Sequence, residues 1–113
     1  MQIDAKLPKE KRIEIAAEEI FSKFGYEKAT LDGIIALADV GKGTVYKYFG
    51  NKEQLFYKLV AVKNVPFVEA LQAAVEKEKD LQAKLIAYFT MLVEFYHKNS
   101  ALWQIVYFEM LNN

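Results

Sequence analysis

The sequence predicts an all-α fold. Apolar residues recur three and four apart along almost its whole length, and no alternating strand pattern persists. Breakers are sparse, with two prolines and five glycines in 113 residues, too few for the tight turns of an all-β chain. The 53 % of residues that are hydrophobic, 14 % aromatic, can supply a real core and argue against disorder. There is no internal repeat.

Each element has its own signature. Ile13, Ala16, Ala17, Ile20, Phe21 and Phe24 lie on one helical stripe, so residues 9–24 form an amphipathic first helix. Pro8 suits its first turn and Gly25 its end. Thr30 is positioned to cap a short second helix bearing Leu31, Ile34, Ile35 and Ala38 on one face, which Leu37 fits less well. Asp39-Val40-Gly41 is a break. A third short helix follows from Lys42 to Phe49, stopped by Gly50-Asn51. Lys52 begins a longer fourth helix through Leu55, Phe56, Leu59 and Val60. Pro66 either kinks that helix or follows its end near Asn64. Residues 77–80, Lys-Glu-Lys-Asp, make a solvated turn. Asp80 caps a fifth helix with Leu81, Leu85, Tyr88, Phe89, Leu92 and Phe95 on its buried side. Asn99-Ser100 opens a sixth.

Composition narrows the setting. Cysteine is absent, which excludes disulfides and thiol chemistry. The first twelve residues lack the apolar core of a secretory signal, and no apolar run approaches the roughly 20 residues that span a bilayer. The expectation is a soluble, cytoplasmic protein. His97 is the only histidine, so neither a histidine-rich metal site nor a Ser-His-Asp triad can be built on it. No metal, no cofactor and no enzymatic activity are expected. The Gly41-Lys42-Gly43 run lacks the glycine spacing and preceding strand of a nucleotide-binding loop. Glu18-Glu19 reads as a solvated face.

Fifteen basic and fifteen acidic residues cancel, and a zero total argues against a nucleic-acid partner. The distribution argues otherwise. No acid lies between Asp39 and Glu53, whereas Lys42, Lys47 and Lys52 do. A local positive patch is hidden in a neutral sum. Its setting is two short helices about three residues apart, the second basic and aromatic, as a helix-turn-helix requires. The second helix of that motif enters the major groove, so small residues are needed at its start. Gly43 removes a side chain there. Thr44 can reach a phosphate or a base edge, and Lys47 projects outward. Val45 and Phe49, four apart, point back into the core.

The stretch TLDGIIALADVGKGTVYKYFGNKEQLF, residues 30–56, resembles the DNA-binding region of the TetR family of bacterial transcriptional regulators. A small-residue turn, then Gly-Thr-apolar-Tyr-x-Tyr-Phe, then Lys-Glu-x-Leu-Phe fall at that family's spacing, and the likeness covers about residues 9–60. The resemblance implies that Tyr46 and Tyr48 lean on the sugar-phosphate backbone through their hydroxyls. It implies that Phe49 locks the third helix to the core and that Lys52 grips a phosphate beside a helix N-terminus. Thr30 and Lys42 complete the DNA-facing set with Gly43, Thr44 and Lys47. The family usually carries serine or another capping residue where this chain has Gly41, so the third helix is expected to fray more without DNA.

By the same resemblance, residues 1–50 form a helix-turn-helix DNA-binding domain. Residues 51–113 form a connecting helix and part of a helical ligand-binding and dimerisation domain. The implied function is a DNA-binding transcriptional regulator, specifically a ligand-released repressor. Its partners would be a double-stranded DNA operator, a small apolar effector, and a second copy of the full-length protein in a homodimer. Tyr88, Phe89, Leu92, Phe95, Trp103 and Tyr107 are candidates to line the effector pocket, although aromatic residues at helical spacing also make ordinary core. Family members usually continue through further helices that form the dimer interface, so this chain reads as a fragment or a short form. An uncovered apolar face on its last two helices would seek a partner. The alternative is a helical interaction module that has lost DNA binding.

Overall fold

The computed structural model describes residues 1–112, with positions 109 and 112 as backbone only; Asn113, the last residue of the expected second unit, lies outside the described residues. Six helices follow one another: α1 (Lys9–Lys28), α2 (Leu31–Ala38), α3 (Lys42–Tyr48), α4 (Lys52–Lys77), α5 (Leu81–Lys98) and α6 (Ser100–Asn112). There is no strand among the described residues. The all-α architecture is the one the sequence predicts.

Pro8 stands at the N-cap of α1 rather than inside its first turn. Ile13, Ala16, Ala17 and Phe21 form the buried stripe. Gly25 does interrupt the helix, with φ 80° and ψ 172°. One more turn then runs to Lys28, closed by the Ala29 N–H bonding to the Gly25 carbonyl at 3.2 Å. Phe24, just before the break, is 49 % exposed instead of in the core.

The caps of α2 and α5 are as expected. Gly33 N–H donates to Thr30 Oγ1 at 3.0 Å, and Ala83 N–H donates to the Asp80 carboxylate at 2.8 Å. Asn51 does more than stop α3. Its side chain accepts from Gln54 N–H at 2.8 Å, while the Gln54 side chain accepts from Gly50 N–H at 3.0 Å. This reciprocal pair satisfies amides at the start of α4 that would otherwise lack partners. The fourth helix then runs through Pro66 to Lys77, so it does not end near Asn64.

The fifth helix departs from expectation. Leu81 and Phe89 are 71 % and 56 % exposed, and Leu85 and Tyr88 are exposed as well; no α5 residue is fully buried. The helix packs on α4, and its half-buried residues are Ala83, Lys84, Ala87, Met91, Leu92 and Phe95. Two small alanines permit close approach, and Lys84 Nζ donates to the Val75 carbonyl at the end of α4 at 3.0 Å. The bulky Leu81–Leu85–Phe89 row faces outward.

One core holds the first four helices and reaches beyond them. Ile13, Ala16, Ala17, Phe21, Ala29, Ile34, Ala38, Val45 and Phe49 are joined by Leu55, Phe56 and Leu59 of α4 and by Leu102 of α6. Burial is thus continuous across position 50. At the other end, Phe67 of α4 stacks on Phe95 of α5 at 3.9 Å, and Trp103 of α6 lies edge-on to Phe95 and Tyr96 at 5.9 and 5.2 Å.

Candidate nucleic-acid interface

Seven residues make a helix too short to stand alone in water, so α3 holds its shape by being anchored. Val45 is 0 % and Phe49 4 % exposed, and both belong to the shared core. With those two turned inward, the helical period turns Lys42, Gly43, Tyr46 and Lys47 outward; all four are exposed, and Thr44 is half-buried at their edge. Lys42 Nζ lies 6.0 Å from the centre of the Tyr46 ring, which keeps cation and aromatic on one face. Tyr48, also exposed, leans on Phe49 at 6.3 Å. Thr30 is exposed at the start of α2, where its oxygen accepts the capping bond and its hydroxyl hydrogen stays available.

Gly43 is informative for what surrounds it. A Cβ built there would meet no atom within 4 Å. Internal packing therefore gives no reason for a glycine at the second position of α3. A glycine here leaves the start of the α3 backbone open to close approach from outside. The uncapped start of α3 agrees with the expectation for Gly41, which provides no side-chain cap.

Lys52 is placed differently from its neighbours. It is half-buried, and its Nζ donates to the carbonyls of Tyr26 at 2.7 Å and Glu27 at 3.3 Å. Nζ also lies 4.4 Å from the centre of the Tyr26 ring. Two of its three donors are thus engaged with the last turn of α1. Sequence reasoning did not single out Tyr26 or Glu27. Their carbonyls are available because α1 ends at Lys28, which leaves its last carbonyls without helical partners. Arg12 was missed as well: its Nη1 donates to the Asp39 carbonyl at 3.3 Å, in the turn between α2 and α3. Behind the site, burial raises the pKa of Glu14 above its ordinary value and Glu10 adds to the rise, against the pull of Lys11 and Lys58.

The six residues proposed for an effector pocket do not converge. Phe95, Trp103 and Leu92 are half-buried, the first two in the aromatic cluster, whereas Tyr88, Phe89 and Tyr107 are exposed. The main cleft, about 670 Å³, lies elsewhere, between the broken end of α1 (Phe21, Phe24, Tyr26) and α6 (Gln104, Ile105, Phe108). None of the six lines it. Among the described residues there is no cluster of His, Cys, Asp or Glu able to hold a metal. Among the described residues no helix is long and apolar enough to cross a membrane either.

Residues 15–59, which include α2, α3, the turn between them and Lys52, match the profile of bacterial regulatory proteins of the tetR family. Through this segment the chain belongs to the tetR family. Within the family, it is 50 % identical over 56 residues to the uncharacterized HTH-type transcriptional regulator YhgD of Bacillus subtilis, covering 50 % of this chain and 27 % of that protein. It is 32 % identical over 80 residues to the fatty acid metabolism regulator protein of the same organism, covering 71 % of this chain and 41 % of that one. The solved structure of the fatty acid degradation regulator FadR from Bacillus halodurans superimposes with a TM-score of 0.73 at 28 % identity, over 82 % of this chain and 50 % of that one. The chain thus spans between about a quarter and a half of the length of these tetR-family relatives. The two curated relatives are named as regulators rather than enzymes.

Proposed function

We propose that the protein is a DNA-binding transcriptional regulator that lays α3 in the major groove of an operator. The observation that carries this reading is the outer face of α3. Lys42, Gly43, Tyr46 and Lys47 are exposed together, in a stretch from Val40 to Lys52 without an acid, while Val45 and Phe49 bolt the helix to the core. Thr30, Thr44 and Tyr48 flank that face as phosphate or sugar partners. Lys52 keeps one donor free for a phosphate. The sign of regulation in this reading is repression, relieved by a small apolar effector whose binding favours a spacing of two reading heads that no longer fits the half-sites. Two relatives named for fatty acid metabolism and degradation make an acyl compound the first effector to try. Paired heads require a homodimer of the full-length protein, and its place of action is the cytoplasm.

The test is duplex binding across a salt series. A DNA-binding domain of this charge loses affinity steeply as salt rises; a helical interaction module that has lost DNA binding shows no such slope, and that result overturns the reading. Selection from a randomised operator library adds resolution. Lys47→Ala is expected to change the preferred sequence, because Lys47 stands where base edges are in reach. Uniform loss across the library would instead assign Lys47 to the phosphate backbone.

A further inference from the structure

The turn that presents α3 joins a left-handed Asp39 to a helix start without a side-chain cap. Asp39 ends α2 in the left-handed region, at φ 55°, a conformation that aspartate tolerates better than most residues but not freely. Gly41 starts α3 with no side-chain cap. The Asp39 carbonyl sits at the C-terminal end of α2, where a helix leaves its last carbonyls without helical partners. The donor that reaches it comes from another element: Nη1 of Arg12, in the first turn of α1, at 3.3 Å. The Nε of the same guanidinium is buried without a hydrogen-bond partner. Such burial is unfavourable, so the side chain is held in this pose by what its other end does. A fixed positive charge at the end of α2 also suits the negative end of that helix.

We propose that Arg12 is a positioning residue for the recognition helix: by binding the Asp39 carbonyl it fixes the α2–α3 turn and so sets the direction in which Lys42, Tyr46 and Lys47 face. The inference rests on the DNA-binding reading for its consequence, but not for its geometry. Arg12 acts through Asp39 and not on the nucleic acid. Its removal therefore lowers affinity for all duplexes alike, leaves the salt dependence unchanged, and loosens the turn while the core stays closed.

The experiment compares the wild-type chain with Arg12→Met, which keeps the apolar stem but donates nothing, and Arg12→Lys, which can still donate to a carbonyl. Amide hydrogen exchange is read at Asp39, Val40, Thr44 and Val45, whose N–H groups bond within and beside the turn, and at Leu55 and Phe56 as core references. In Arg12→Met the turn amides are expected to exchange about fivefold to tenfold faster, the equivalent of one hydrogen bond, with the core amides unchanged. Duplex affinity falls by a similar factor at constant salt slope, and Arg12→Lys recovers part of both. Three results overturn the proposal. A salt slope reduced by about one with unchanged turn exchange makes Arg12 a phosphate contact. Equal acceleration at turn and core makes its role a general structural one. No change in either readout removes the role altogether. If the wild-type chain binds no duplex, the DNA-binding reading fails on its own, and the exchange data still decide whether Arg12 holds the turn.

Discussion

Lys52 Nζ donates to the Tyr26 carbonyl at 2.7 Å and sits 4.4 Å above the centre of the same residue's ring. One ammonium thus ties the start of α4 to the last turn of α1 through two unlike contacts. Charge-assisted hydrogen bonds contribute more than neutral ones, about 1.5–3 kcal/mol each, and a half-exposed cation–π contact adds about 0.5–1 kcal/mol. Desolvation and immobilisation of the lysine offset part of this sum, so Lys52→Met is expected to lower the free energy of unfolding by about 1–3 kcal/mol in chemical denaturation. If its remaining donor meets a phosphate, the same variant lowers the salt slope of duplex binding by about one. Unchanged stability would mean that the tie to α1 contributes nothing.

Gly43 separates folding from binding. With open space around its missing Cβ in the first turn of α3, Gly43→Ala is expected to stabilise the chain by up to about 0.5 kcal/mol through helix propensity. It is also expected to weaken duplex binding by placing a methyl group where DNA approaches. Thermal unfolding and duplex titration of one variant should move in opposite directions. Equal or tighter binding would show that the α3 backbone does not come that close.

Glu14 provides a dependence on pH. Its pKa is raised in the folded chain, chiefly by burial, so folding favours its protonated form. The sign follows: the penalty on the folded state is absent below the ordinary carboxylate range and complete once pH exceeds the raised value. Glu14→Gln is expected to raise the melting temperature at neutral pH and to lose that advantage as pH falls through the carboxylate range. A gain that persisted in acid would have to come from something other than the charge.

The outward faces of α5 and α6 expose Leu85, Phe89, Val93, Tyr96 and Phe108, and the zero net charge offers little repulsion between chains. The isolated chain is expected to self-associate at micromolar concentration, with Phe108 and the edge of Trp103 near the contact, and to bind DNA weakly because its heads are not paired at the natural spacing. Sedimentation and the dilution dependence of Trp103 fluorescence check this. A clean monomer with constant fluorescence would end the idea and leave the DNA-binding reading in place.

Local signals were legible in the sequence. Thr30 and Asp80 cap where expected, the third helix ends within one residue of its expected limit, and Val45 and Phe49 are buried as their spacing required. Each of these is decided within a few residues of the chain. The failures were tertiary. The apolar stripe on α5 suggested the wrong buried face because Leu81, Leu85 and Phe89 are as helical in their spacing as Ala83, Ala87 and Met91. Packing against α4, a tertiary contact, decides between the two rows. Lys52 could be placed at the start of α4 from its motif, but its partners lie 25 and 26 residues away. The long reach of Arg12 to Asp39 left no trace in periodicity, charge or composition.

Gly25 places a demand on chirality rather than on size. At φ 80° and ψ 172° its backbone lies in a region that is essentially glycine's alone, where an L-residue is strained by about 1–3 kcal/mol, yet a Cβ there would touch nothing within 4 Å. Shrinking or enlarging a substituent cannot relieve such a penalty, so Gly25→Ala and Gly25→Leu should cost nearly the same. The mirror image of this conformation is ordinary extended backbone. A chemically synthesised chain carrying D-alanine at position 25 should fold at least as well as the natural one, at a position where every genetically encoded replacement is strained.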